Sequence, residues 1–173
     1  GTLLKGLKTQ IVRILGTSCI VKSVSSSEYL AMSLPHDYDK FTEPYQTGYA
    51  YRNYMAYHPD MKMLPQHLEL YRRVHDEHHQ LQAHHIGSWN DVRQIPKIVL
   101  TEMVCDWHSA NFEQLEIQKS SEYENVRAFF DRVMAPLSWT DAQREFILEL
   151  VDELAKRTDS GVVRAIWAPA LEL

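Results

Sequence analysis

The sequence predicts an all-α protein, and three observations support this prediction. Glycine is scarce, with six in 173 residues. No segment shows the alternating β-branched pattern of a half-buried strand. Apolar residues instead recur three and four positions apart in several segments, which is the spacing of an amphipathic helix. The length suits one hydrophobic core, so we expect residues 1–173 to form a single helical domain.

Composition and charge narrow the class of protein further. Apolar residues make up 45% of the chain and charged residues 24%, as in ordinary globular proteins. The net charge is −5 and no long basic stripe is present, so we do not expect nucleic acid as a partner. The two cysteines, Cys19 and Cys105, favour reduced thiols in the cytoplasm over a disulfide framework. No apolar run reaches the roughly 20 residues of a transmembrane helix.

The first 27 residues form a basic amphipathic segment. It contains four basic side chains and no acidic one before Glu28. Leucines and isoleucines between Leu3 and Leu15 recur at helical spacing, which predicts a helix over 2–15. Two roles are open for this helix: packing on the core, which we favour, and targeting or binding at a membrane surface. Because the chain begins with Gly1, we expect the native N-terminus to extend further.

A break in the helical pattern leads to the first functional candidates. The serine-rich stretch 23–27 precedes a short helix predicted at 28–33. Pro35 then introduces the pair His36-Asp37, because proline is common at a first helical position.

A tyrosine-rich helix is predicted next, over 45–57. Its tyrosines can line a pocket, but such a row is more often a core-facing stripe, and we favour the stripe. The tyrosines are Tyr45, Tyr49, Tyr51, Tyr54 and Tyr57.

Proline and polar residues mark the boundaries of the following helices. Pro65 opens a helix that we expect to run from 66 to about 82. A polar loop at 86–94 separates it from a helix over 96 to about 115, and another is predicted over 122–134.

The last helix has the clearest N-terminal signal. Thr140 and Gln143 are three residues apart, which is the spacing of a capping box. Apolar residues from Phe146 to Leu154 then trace one helical face.

A dense group of histidines is the main functional feature of the sequence. There are nine histidines, and five of them lie between His75 and His85. His75, His78 and His79 are three and four residues apart, so on a helix their rings project from adjoining parts of one face. Imidazole and carboxylate are the ligands that zinc, iron and manganese share. The pattern therefore predicts a site for one or two divalent transition-metal ions.

Two carboxylates on the next predicted helix complete this prediction. Glu102 and Asp106 are four residues apart, in an apolar background that indicates partial burial. Buried carboxylates need a partner, and the histidine helix can supply one. In the alternative, the histidines lie on a solvated face while Glu102 and Asp106 pair with Arg93 or Lys97.

The order of these groups resembles the HD-domain superfamily of all-helical, metal-dependent phosphohydrolases, which includes a few di-iron oxygenases. The chain is more similar still to a family of uncharacterised bacterial and phage HD-like proteins. Its members read roughly H-D-x-S-K-F, then a histidine-rich segment ending in Trp, then E-M-x-C-D-W. Three stretches match here: H-D-Y-D-K-F at 36–41, the histidine-rich segment at 78–89, and E-M-V-C-D-W at 102–107. From the first to the last, they span about 40% of the chain.

The resemblance implies a role for each matching residue. His36 and Asp37 would be paired metal ligands, and Asp37 could bridge two ions. His78, one of His84 and His85, and Asp106 would complete the ligand set. His79 and Glu102 would be additional ligands or would support the ligands from behind. Lys40 would meet a substrate phosphate or form an ion pair with Asp37 or Asp39, and we favour the ion pair.

One departure from the HD pattern affects these assignments. HD proteins usually supply a first histidine upstream of the His-Asp pair, and residues 1–35 contain none. Three explanations stay open: a histidine before Gly1, a substitute elsewhere in the chain, or a degenerate site that binds without catalysis.

The resemblance implies hydrolysis of a small phosphorylated substrate with an iron, manganese or zinc site. His75, His79 or His85 would protonate the leaving oxygen, because histidine titrates near neutral pH. A di-iron oxygenase on the same scaffold and a non-catalytic helical metal-binding module are the alternatives.

Overall fold

The computed structural model describes residues 37–56, 58, 60–112 and 125–157. The helices predicted at 2–15 and 28–33, and His36, lie outside the described residues. The described part contains helices and helical turns and no strand, which confirms the all-α class. No helix in these residues has the length and apolar character needed to cross a membrane.

The helices follow the predicted order closely. Three 3-10 turns accompany them, at Tyr38–Phe41, Ile86–Ser88 and Val92–Gln94, and the last two occupy part of the predicted polar loop. The described α-helices are α1 (Tyr45–Ala56), α2 (Pro65–Leu81), α3 (Lys97–Phe112), α4 (Val126–Phe129, which continues as a π-helical turn at Phe130–Met134) and α5 (Asp141–Arg157).

Helix α4 begins later than the predicted 122. Asn125 is in an extended conformation and caps the helix, because its Oδ1 accepts a hydrogen bond from the backbone N–H of Ala128 at 3.0 Å. The capping side chain of Asn125 therefore marks the N-terminal end of α4.

The predicted capping box at the start of α5 is confirmed. The backbone N–H of Gln143 donates to Thr140 Oγ1 at 3.2 Å, and Gln143 Oε1 accepts from the backbone N–H of Thr140 at 3.1 Å. The Nε2 amine of Gln143 also donates to the carbonyls of Val92 and Ile95, both at 3.0 Å. Gln143 therefore caps α5 and ties it to the segment that precedes α3.

The hydrophobic core lies between α3, α4 and α5. Leu100 and Met103 of α3 are fully buried, as are Phe130 of the π-helical turn and Ile147 of α5. Trp107 joins the same cluster and is 7% exposed. Burial of these apolar side chains is the main stabilising contribution in this part of the molecule.

Helices α1 and α2 pack as a hairpin with a close approach at Gly48. A Cβ atom at Gly48 would lie 2.6 Å from Val74 Cγ2 on α2, so only glycine fits without displacement. Val74 is the one apolar side chain that is fully buried among the described residues of 37–91.

Candidate metal centre

Three histidines converge at the end of α2. His78 lies in the last turn of the helix, which ends at Leu81, and the chain then reverses through a turn closed by a 3.0 Å hydrogen bond from His85 N–H to the carbonyl of Gln82. This reversal returns His84 and His85 to the side of His78. One ring nitrogen from each of the three imidazoles lies within 4.8 Å of the other two. His78 and His84 are buried and His85 is half-buried.

Gly87 allows the turn to lie against α2. A Cβ atom at this position would be 3.0 Å from the backbone carbonyl oxygen of His79, which cannot rotate away as a side chain can. The glycine therefore permits the segment carrying His84 and His85 to stay close to the helix carrying His78.

The carboxylate of Asp37 faces two of these histidines, His78 and His84. Its Oδ1 atom lies 3.3 Å from His78 Nε2, 3.5 Å from His84 Nε2 and 2.9 Å from Lys40 Nζ. The backbone of Asp37 is left-handed, with φ 58°, a region in which aspartate is one of the few tolerated side chains. The contact with Lys40 is the ion pair that the sequence favoured.

Carboxylates lie on the Nδ1 side of two of the rings. His78 Nδ1 lies 2.7 Å from Asp39 Oδ2, and since a carboxylate accepts, this nitrogen carries a hydrogen, while Nε2 faces Asp37. His84 Nδ1 lies 3.8 Å from Glu102 Oε1, so Glu102 also stands on the Nδ1 side. A carboxylate behind a histidine is the usual arrangement at metal sites, because it fixes the ring and raises its basicity.

Asp39 was missed by the sequence interpretation. Only the fold brings it to His78, which is 39 positions away in the chain. Burial would raise the pKa of Asp39, but the hydrogen bond and charge of His78 outweigh it and lower the pKa, so Asp39 is ionised at neutral pH.

Two ring nitrogens of the histidine group can serve as metal donors. The Nε2 atoms of His78 and His85 are buried and form no hydrogen bond with any described residue. A buried polar atom left in this state costs about 1–3 kcal/mol. Coordination to an ion would supply the missing interaction, and the mixture of imidazole and carboxylate suits zinc, iron or manganese. The residues therefore fit a bound metal ion.

The electrostatics keep two imidazoles neutral, the form that binds a metal. Burial, followed by the charge of His84, lowers the pKa of His85 to about 2, although Asp106 opposes the shift. Burial, followed by the charges of His75, His78 and Lys40, lowers the pKa of His79 to about 4, and Asp106 again opposes it. The rings of His79 and His85 stack, with centroids 3.8 Å apart.

Asp106 belongs to the same electrostatic environment, since its charge acts on His79, His85 and Tyr49. The alternative partners for the carboxylates of α3 are engaged elsewhere. Arg93 pairs with Asp91 at 2.9 Å, and Lys97 Nζ lies over the ring of Phe146, 5.1 Å from its centroid.

The favoured interpretation of the tyrosines as a core-facing stripe is wrong for the described part of α1. Tyr45, Tyr49 and Tyr51 are half-buried, and Tyr54 is 52% exposed, so none of the four is a fully buried core residue. Tyr49 lies beside the histidine group, with its ring edge-to-face against His78 at 5.9 Å. Tyr57 lies outside the described residues.

Comparison with known proteins gives a family. A family model described as "Family of unknown function (DUF5662)" matches residues 8–153, which is most of the chain. The chain belongs to DUF5662. No curated protein matches it, and no solved structure matches it. The DUF5662 match covers all the described histidines and carboxylates of the candidate site, whereas the resemblance to the HD-domain superfamily stays a prediction.

Proposed function

We propose that this DUF5662 protein is a metal-dependent hydrolase that acts on a phosphoester. The observation that carries the proposal is the convergence of His78, His84 and His85, with ring nitrogens within 4.8 Å of one another, beside the Asp37 carboxylate. These four side chains would hold one ion. Asp106 and His36 are further candidate ligands, and with them the site could hold a second ion.

The second line of support is the surroundings of this group. Asp39 and Glu102 stand behind His78 and His84, which is where supporting carboxylates are needed. We therefore assign Glu102 the role of orienting His84. A divalent ion, when bound, supplies Lewis acidity and lowers the pKa of a water molecule that it holds.

Two further residues have proposed roles toward a phosphorylated substrate. Lys40 is 2.9 Å from Asp37 and its side chain is 25% exposed, so its ammonium can contact a phosphate oxygen at the edge of the site. His79 is neutral at pH 7 because its pKa is held near 4, and it stacks on His85. We assign His79 to proton transfer, in which a neutral imidazole accepts a proton before passing it on.

Metal content per chain tests the site itself. We expect one or two equivalents of iron, manganese or zinc in the wild-type protein, and affinity lower by about tenfold or more in His85→Gln, because a ligand is lost. His67→Gln is the matched control, since His67 is also a half-buried histidine but stacks on Tyr51 away from the site, with ring centroids 3.7 Å apart. Wild-type protein that takes up none of the three metals after reconstitution would refute the proposal.

Activity assays test the reaction class. We expect metal-loaded protein to release phosphate or p-nitrophenol from p-nitrophenyl phosphate or its bis-ester, and chelation to abolish the release. Asp106→Ala should lower metal affinity about tenfold. Asp141→Ala, an exposed aspartate in the first turn of α5, should keep both metal and activity. Metal-dependent oxygen consumption without ester hydrolysis would instead identify the oxygenase alternative.

A further inference from the structure

The ring of Tyr49 has three partners, whereas its hydroxyl has none among the described residues. The ring lies edge-to-face against His78 at 5.9 Å and against Tyr71 at 5.7 Å, and Lys40 Nζ lies over it, 4.7 Å from the centroid. Each of these contacts involves only the aromatic ring. A phenylalanine would make all three equally well, so the hydroxyl needs a separate explanation.

The hydroxyl oxygen of Tyr49 is buried and forms no hydrogen bond with any described residue. Nearly all buried polar atoms in proteins are hydrogen-bonded, so this hydroxyl is available to a partner from outside the chain. This partner would lie near the histidine group, because His78 contacts the same ring.

The chemistry of the hydroxyl itself limits what that partner can be. A tyrosine phenol has an ordinary pKa of about 10, so it carries its proton at neutral pH. A protonated phenol can donate a hydrogen bond, and charge-assisted donation to an anion is the strongest bond that it can make.

We propose that the Tyr49 hydroxyl donates a hydrogen bond to a phosphoryl oxygen of the substrate bound at the histidine group. The proposal rests on the proposed function, since an anion held so close to Asp37 and Asp106 requires a bound metal ion to offset their charge. Tyr49 is then a substrate-binding residue supplied by α1, a helix that contributes no metal ligand.

The test compares Tyr49→Phe with wild-type protein, using Mn²⁺ and inorganic phosphate as probes. Tyr51→Phe is the matched control, because Tyr51 is on the same helix and stacks on His67 instead. Calorimetry would measure phosphate affinity of the Mn²⁺-loaded proteins, and elemental analysis their manganese content. We expect Tyr49→Phe to keep its manganese and to bind phosphate about tenfold more weakly, the loss of one charge-assisted hydrogen bond. Tyr51→Phe should bind phosphate as the wild type does.

Thermal melting of the metal-free proteins provides a readout independent of the loaded site. Since the hydroxyl forms no hydrogen bond within the described part of the chain, Tyr49→Phe should melt at the wild-type temperature or above it. A clearly lower melting temperature would assign the hydroxyl a structural role and overturn the proposal. The proposal would also be overturned if manganese-loaded Tyr49→Phe bound phosphate as tightly as the wild type, or if the manganese-loaded wild type bound no phosphate. Either result would leave the proposed metal site unaffected. Wild-type protein that binds no metal would overturn both.

Discussion

The two halves of the described molecule are stabilised in different ways. In the half formed by α3, α4, α5 and the segments next to them, fifteen buried apolar side chains form one cluster. In the half formed by residues 37–91, the buried described residues are Asp37, Gly48, Val74, His78 and His84, with a single large apolar side chain among them. The first half also buries polar residues, but these lie among many apolar ones, and they are Thr101, Glu102, Ser109, Asn111 and Gln143. In the second half polar side chains are the majority of the buried ones, and buried polar groups are costly unless they are paired.

This difference separates the source of stability from the source of function. The apolar cluster can hold α3 and α5 together without any ligand, because burial of apolar surface is favourable by itself. The histidine half depends on polar contacts, and the buried Nε2 atoms of His78 and His85 still lack hydrogen-bond partners among the described residues. A metal ion would therefore contribute more to the stability of α2 than to that of α5.

The largest expected effect comes from a substitution in the apolar half, which contains α3, α4 and α5. Ile147→Ala removes a fully buried side chain from the core cluster and should lower the free energy of unfolding by about 2–5 kcal/mol. Urea denaturation would measure this loss, and elemental analysis should show unchanged metal per folded chain. If the alanine variant does not fold, Ile147→Val should cost about 0.5–1.5 kcal/mol. A fall in metal per folded chain would show that the two halves are coupled.

A smaller effect is expected from a change that weakens the polar half alone. Asp39→Asn removes the charged acceptor behind His78, so the ring is held less firmly and is less basic. Metal affinity should fall about 10–100-fold, measured by competition with a chelator, while the helical circular dichroism stays the same. Asp131→Asn is the control, since Asp131 is an exposed aspartate that pairs with Arg127 on the surface. Equal metal affinity in the two variants would show that Asp39 does not contribute to the metal site.

The smallest expected effect comes from a substitution where α1 contacts α2. Gly48→Ala gains helix propensity of about 1 kcal/mol but forces a methyl group to within 2.6 Å of Val74 Cγ2. Overpacking of this kind costs about 1–3 kcal/mol, so we expect a net loss of roughly 1 kcal/mol in the free energy of unfolding. A variant more stable than wild type would mean that α1 and α2 separate easily, and that their packing contributes little to the histidine half.

The fold was largely predictable because its signals are local. Pro65 at the start of α2, the capping box of α5 and apolar spacing place these helices within a residue or two of their observed positions. The start of α4 was placed too early because an extended asparagine at 125 overrides the helical pattern around it.

The candidate site was predictable only in its residue types. A cluster of histidines in the sequence indicates a metal, and His78, His84 and His85 do converge. Sequence spacing could not show that Asp39 would orient His78 or that the Tyr49 hydroxyl would be buried beside it. Both facts depend on how α1 and the turn at Tyr38–Phe41 pack against α2, and no local pattern records that packing.

The side-chain amide of Gln143 makes four hydrogen bonds, and these limit how far α3 can move relative to α5. Its Nε2 amine donates to the carbonyls of Val92 and Ile95, just before α3, while its Oε1 accepts two hydrogen bonds from Thr140 at the start of α5. If α3 slid along α5, both hydrogen bonds to Val92 and Ile95 would break together. We therefore expect α3, which carries Glu102 and Asp106, to keep its position. Any adjustment to the radius of a bound ion should then come from the reversing segment that carries His84 and His85.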